Sequence, residues 1–317
     1  HLIYIYKLYN KAYHNFIKKK VITLNKKKME VKNIMIRKPS VAGLFYESNK
    51  SLLEENIKNI FNKTGQNIPT TPSNTYKTKA AIVPHAGYIY SGKTASYAYG
   101  DIARSGICDT VVIIGPNHTG YGDDISLTTS NTWQTPIGDV CVDSEFNNEL
   151  EKINSNITFS PEAHIKEHSI EVELPFLQYI SNIQKKSFKI VPIVITRQQK
   201  NFCVELAHSI YDVSKKLNRN IMVVASTDLT HYENATSAKN KDEKILKSIE
   251  DMDIDSLLNN INKYNITMCG YGPTITAIIY SKLVNANRSI ILNYSNSGEV
   301  YNYYEYVVVY ASAVIKK

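Results

Sequence analysis

The 317-residue sequence predicts an α/β fold on a parallel sheet, and three of its runs carry that prediction. Ala80–Val83, Val111–Ile114 and Ile221–Ala225 are apolar without polar alternation, as strands covered on both faces are. Each run hands over a histidine shortly after it ends: His85, His118 and His231. Stretches of helical period separate the runs, which favours one large α/β domain over two small ones. Open α/β sheets keep their chemistry at the carboxyl ends of their strands, so the three histidines predict one crevice.

Taken in order, residues 38–50 read as an irregular segment leading to a helix cap at Ser48 or Asn49. Leu52, Leu53, Ile57, Ile60 and Phe61 then recur at helical spacing. Residues 64–79, with Pro69 and Pro72, predict a surface loop before the first core strand. Gly87 and Gly92 bracket a turn, and Lys93–Arg104 predicts a helix ending near Gly106. After the second strand come Ile125–Ser130 and then Trp133–Asp139, which predicts a strand and turn. A helix is expected over Ser169–Leu177 despite Pro175, then a strand over Phe188–Ile195, a helix over Asn201–Leu217 and the third core strand. Helical spacing continues over Ser237–Glu250, Asp255–Tyr264 and Thr274–Val284, where Pro273 suits a first helical position. Ile290–Tyr294 and Tyr306–Val314 predict the last strands.

The net charge of +8 suggests nucleic acid until it is located. Residues 1–28 hold eight lysines and no acid; without them, 29 basic residues face 29 acids. A neutral body lacks the basic surplus that a nucleic-acid face needs, so no nucleic-acid partner is expected. Residues 1–34 are expected to be a basic, disordered extension, lacking the marks of a targeting peptide, and 35–317 a single domain. No run reaches membrane-span length, which predicts no membrane partner, and the scattered Cys108, Cys141, Cys203 and Cys269 predict a reducing, cytoplasmic compartment. The chain carries no signal for an oligomeric state.

Several chemistries fit these residues. Cys269 stands just before a helix, with Gly270 and Gly272 after it, where helix N–H groups favour a thiolate. With His85 and His118 it makes a two-histidine, one-anion metal set, leaving positions open for water or substrate. The same cysteine with His231 and Asp228 reads instead as a nucleophile assembly, or as the core of a thiol or zinc hydrolase. Asp228, three residues before His231, is placed to orient an imidazole for proton transfer or simply to cap a helix. His168 and Glu171 share a helical face and read either as groups orienting a ligand or its substrate, or as a solvated helix start. The glycine-rich run Gly115–Gly122 lacks the spacing of either nucleotide-binding fingerprint, and Ser91 and Ser226 lack a nucleophile elbow.

Six ordered landmarks give the chain a family. Val41–Tyr46, Pro84–Tyr88, Gly115–His118, Glu167–Glu171, Ser226–His231 and Cys269–Gly270 resemble the Memo family, named for mediator of ErbB2-driven cell motility, across residues 37–314. The resemblance implies a three-layer α/β/α sandwich around a mainly parallel sheet, akin to class III extradiol dioxygenases. It implies metal ligands at His85, His118 and Cys269, with His231 as acid/base beside Asp228, and one iron(II) or copper ion in preference to zinc. Cysteine where those dioxygenases carry a carboxylate puts softer metals in play. The implied function is a metal-dependent oxidoreductase acting on a small-molecule substrate; the alternative is a non-catalytic copper- or iron-binding or partner-binding protein. Prokaryotic members sit near radical-SAM genes, which implies a pathway link to such a protein. Animal members carry His and Trp where this chain has Val41 and Phe45, so the phosphotyrosine-peptide binding proposed for them is not expected here.

Overall fold

In the computed structural model, which describes residues 35–73 and 77–317, the alternate residues of each core strand pack into two different apolar layers. The expected extension over 1–34 lies outside the described residues. Ala80 and Ile82, Val112 and Ile114, and Val223 and Ala225 enter one layer. Their neighbours Ala81 and Val83, Val111 and Ile113, and Met222 and Val224 enter the other. Both faces of these strands are therefore covered, which is why their sequences show no polar alternation.

The elements run β1 (Ile36–Arg37), α1 (Lys50–Lys63), β2 (Thr78–Val83), a π-turn (Tyr88–Gly92), α2 (Lys93–Ser105), β3 (Thr110–Pro116), β4 (Ile125–Leu127), β5 (Thr132–Gln134) and β6 (Asp139–Val142). Then come α3 (Ser144–Ile153), β7 (Ile157–Phe159), α4 (Glu162–Ile165), a 3-10 turn (Glu171–Glu173), α5 (Leu174–Gln184), β8 (Lys189–Ile195) and α6 (Lys200–Lys216). The chain closes with β9 (Ile221–Ser226), β10 (His231–Glu233), α7 (Ala235–Glu250), α8 (Ile254–Tyr264), α9 (Tyr271–Leu283), β11 (Arg288–Asn296), α10 (Gly298–Tyr301) and β12 (Val307–Lys316).

These strands make one mixed sheet in the order β1-β5-β6-β8-β3-β9-β2-β12-β10, with β11 on β12 and β4 on β8. Its centre, β6-β8-β3-β9-β2, is parallel. Buried residues of α1, α2 and α5 share one layer with it, and those of α3, α6, α7, α8 and α9 the other. The architecture is the three-layer α/β/α sandwich. Strands β3, β9 and β2 are adjacent and parallel, so the loops after Pro116, Ser226 and Val83 leave the same edge side by side.

Several boundaries differ from the sequence prediction. Asn49, not Ser48, caps α1 by accepting the Leu52 N–H. Residues 171–173 form a 3-10 turn, and α5 begins at Leu174 with Pro175 in its first turn, where the missing N–H costs no hydrogen bond. Pro273 is the third residue of α9, which starts at Tyr271. Helix α3, capped by Asp143 through the Phe146 N–H, buries only Phe146, Asn147 and Leu150, too short an apolar pattern to predict a helix. No helix among the described residues is long and apolar enough to cross a membrane.

Candidate metal centre

His85 follows β2 through Pro84 and is 2% exposed. Its backbone N–H donates to Asp228 Oδ1 at 3.0 Å, and its Nδ1 lies 2.7 Å from Ser226 Oγ. That hydroxyl also sits 2.6 Å from the Ser169 carbonyl and 2.9 Å from Glu173 Oε1, both acceptors for its single proton. Nδ1 of His85 therefore carries the donated hydrogen, and Nε2 keeps its lone pair. Burial, then the neighbouring His118, His168 and His231, hold His85 well below the usual histidine range, so the ring is neutral at pH 7.

His118, after β3, is fixed by Glu167. The carboxylate takes the His118 backbone N–H at 2.6 Å, ring Nδ1 at 2.9 Å and the Ser169 N–H at 2.9 Å. Burial pushes Glu167 up, but the His118 ring and these backbone N–H groups outweigh it and hold the carboxyl at about 2. The loop carrying Glu167 approaches β3 closely because residue 115 is glycine; a Cβ there would stand 2.2 Å from Ser169 Oγ.

Cys269 arrives from the other layer, ahead of α9, and its Sγ lies 3.4 Å from His85 Nε2. Gly270 permits this, since a Cβ on it would meet the Ser226 carbonyl at 2.4 Å. The ligand atoms of His85, His118 and Cys269 all lie within 4.8 Å of one another. The expectation of a thiol acidified by its helix is corrected. Sγ accepts the Asp228 backbone N–H at 3.2 Å, and burial followed by the Asp228 charge pushes the thiol up to about 12. A bound cation would deprotonate it outright.

The donors suit a mononuclear site. His85 and His118 each have one ring nitrogen held by a protein acceptor, the usual support of a metal-bound imidazole, while a thiol contributes soft charge. His118, Glu167 and His168 also come within 4.8 Å of one another, but Glu167 is already spent on His118 and Ser169.

His85 and His118 line a cleft of about 590 Å³, as do His231 and Asp228. The predicted direct pairing of these two is not observed. Asp228 serves His85, whereas His231 Nδ1 donates to the carbonyls of Leu229 at 2.7 Å and Thr267 at 2.9 Å. Carbonyls only accept, so Nδ1 bears the proton and Nε2 is left for the cleft. Burial lowers the His231 pKa and raises that of Asp228 to about 7.

His168 lines the same cleft, with its ring centroid 4.6 Å from that of His118. Glu171 is buried, which excludes the solvated helix start: it pairs with Arg37 and accepts the Tyr46 hydroxyl at 2.6 Å and the Val41 N–H at 3.0 Å. That network pins residues 37–46 beside the cleft. Sequence reasoning missed Glu173 and the supporting role of Ser226. Their only local signal is a carboxylate between Val172 and Leu174 and a serine ending an apolar strand.

A family model described as "Memo-like protein" matches residues 37–314. A MEMO1 family protein of Methanobrevibacter smithii is 41% identical over 287 residues, covering 89% of this chain and all of the relative. One from Methanopyrus kandleri is 39% identical over 285 residues, with the same coverage. The crystal structure of an uncharacterized protein from Escherichia coli K12 superposes with a TM-score of 0.51 at 11% identity, over 74% of this chain and 99% of that one. That likeness is one of fold.

Proposed function

The chain belongs to the Memo-like protein family, and on that premise we propose a metal-dependent oxidoreductase acting on a small molecule, with iron(II) or copper held by His85, His118 and Cys269. The observation that supports it most is the convergence of those three ligand atoms within 4.8 Å of one another, with the two histidines lining a cleft. Such an ion would supply Lewis acidity and access to one-electron chemistry.

The rest falls to the chain's own groups. Ser226 and Glu167 fix which nitrogen each histidine ligand presents. Asp228, 3.9 Å from His85 Nε2, would add negative charge beside the ligands in its deprotonated form. His231, neutral because it is partly buried, offers Nε2 as the atom that takes a proton from a substrate in the cleft and returns it.

The test is His231→Ala beside wild type, with metal content by mass spectrometry after anaerobic purification and oxygen uptake across a panel of small substrates. The variant is expected to keep its metal and lose turnover. Equal loss of both would overturn the role given to His231. A second reading, metal retention without turnover, is favoured by the thiol donor, which suits copper(I). Stoichiometric copper(I) binding with no oxygen uptake would establish it.

A further inference from the structure

Tyr232 has a backbone that its chemistry disfavours. Its φ is 60°, the left-handed region that bulky residues avoid. The other non-glycine residues at positive φ, namely Lys185, Asn218, Met252, Asn265, Asn285 and Asn302, sit at the carboxyl ends of helices, where that conformation closes the last turn. Among the described residues Tyr232 alone adopts it inside a strand.

The strand geometry gives the reason. In β10, His231 pairs with Val308 and Glu233 with Val307, so Tyr232 is an extra residue, a bulge, in the ladder with β12. Successive residues of a regular strand face opposite ways. Here His231 and Tyr232 both line the cleft, ring centroids 5.7 Å apart, and the Tyr232 side chain stays 73% exposed. An exposed ring gives the fold little in return for a strained backbone.

The cleft around it says what such a ring would meet. Tyr90, Tyr301, Tyr303, Tyr306 and Tyr310 line it with Phe45, and among the described residues the lining contains no lysine, arginine or glutamate. Among the described residues, no lysine or arginine side chain stands there to pair an anionic ligand. The one carboxylate, Asp228, is committed to the His85 N–H.

We infer that Tyr232 is a ligand-contacting, specificity-determining residue, held by the β10 bulge so that its ring packs on an uncharged ligand with a flat, apolar body. This rests on the cleft being a substrate site, but not on any metal. Stacking on tyrosine faces selects flat, apolar surfaces, and charged ligands would enter without a partner for their charge.

The experiment is calorimetric titration of the full chain, with and without chelator, using three probes of matched size: 2-naphthol, 2-naphthoate and 2-naphthylmethylammonium. With chelator present, the wild type should bind the naphthol at least about tenfold more tightly than either charged probe. Tyr232→Gly should unfold no earlier than wild type, because glycine takes positive φ freely, yet bind naphthol about tenfold more weakly, the scale of one lost aromatic contact. Tyr232→Phe should retain binding. Naphthol bound by Tyr232→Gly as by wild type, no naphthol binding at all, or a charged probe bound equally well with chelator present would each overturn the inference. Metal content, measured on the same samples, separates its failure from failure of the metal site.

Discussion

His85 Nε2 and Cys269 Sγ lie 3.4 Å apart although 184 residues separate them. One comes from the end of β2 and the other from the approach to α9, so the pair exists only once the layer that holds α9 has closed on the sheet. Removing the thiol should remove the metal. Cys269→Ala is expected to bind iron(II) or copper at least about 100-fold more weakly, since even the partners that merely orient ligands account for 10–100-fold. Competition with a chelator of known affinity measures it, and unaltered binding would take Cys269 out of the site.

The link from His85 through Ser226 to Glu173 should tune that affinity without touching the metal. Ser226→Ala leaves His85 Nδ1 without its acceptor, and metal affinity should fall by roughly 10–100-fold while circular dichroism stays unchanged. Glu173→Gln keeps the shape and the Tyr99 contact at 2.5 Å, so a smaller loss is expected.

His164 predicts an acid-sensitive fold. It is buried against Trp133, with Nε2 3.1 Å from the Ser126 carbonyl, and burial lowers its pKa from 6.5 to about 3. Between these values the unfolded chain binds a proton that the folded chain refuses, so stability from this group is complete above pH 6.5 and lost as pH falls toward 3. The slope from one proton is about 1.4 kcal/mol per pH unit. Urea unfolding of His164→Gln between pH 4 and 7 should show a shallower dependence than wild type by about that amount.

Arg37 and Glu171 form a buried ion pair that anchors the segment beside the cleft. Arg37 also donates to the carbonyls of His164 at 3.0 Å and Glu167 at 2.7 Å and lies 4.4 Å over the Trp133 ring. Arg37→Ala strands a buried carboxylate, and a destabilisation of about 3–5 kcal/mol is expected by chemical denaturation. A change below about 1 kcal/mol, the usual value for a surface pair, would show the carboxylate has found water or another donor.

Read without a structure, the chain already disclosed its three central strands, because strands buried on both faces must be apolar throughout. It disclosed their histidines too, since residues just past a parallel strand stand at the sheet's carboxyl edge. The six family landmarks then singled out His85, His118 and Cys269 together. Boundaries at Pro175 and Pro273 were displaced because a proline fits any position of a helix's first turn, so it marks a start only to within a residue or two.

What pairs with what was decided by tertiary structure alone. Asp228 is three residues from His231, yet it serves His85, 143 residues away, because β9 and β2 are neighbours in the sheet. The Cys269 thiol, predicted acidic from its helix, is pushed up instead, since burial and the Asp228 carboxylate outweigh the helix. The bulge that turns Tyr232 into the cleft depends on the register of β10 against β12, strands far apart in the chain. Sequence pattern reports what each residue needs locally, burial or a strand end; hydrogen-bond partners and local dielectric are properties of the packed chain.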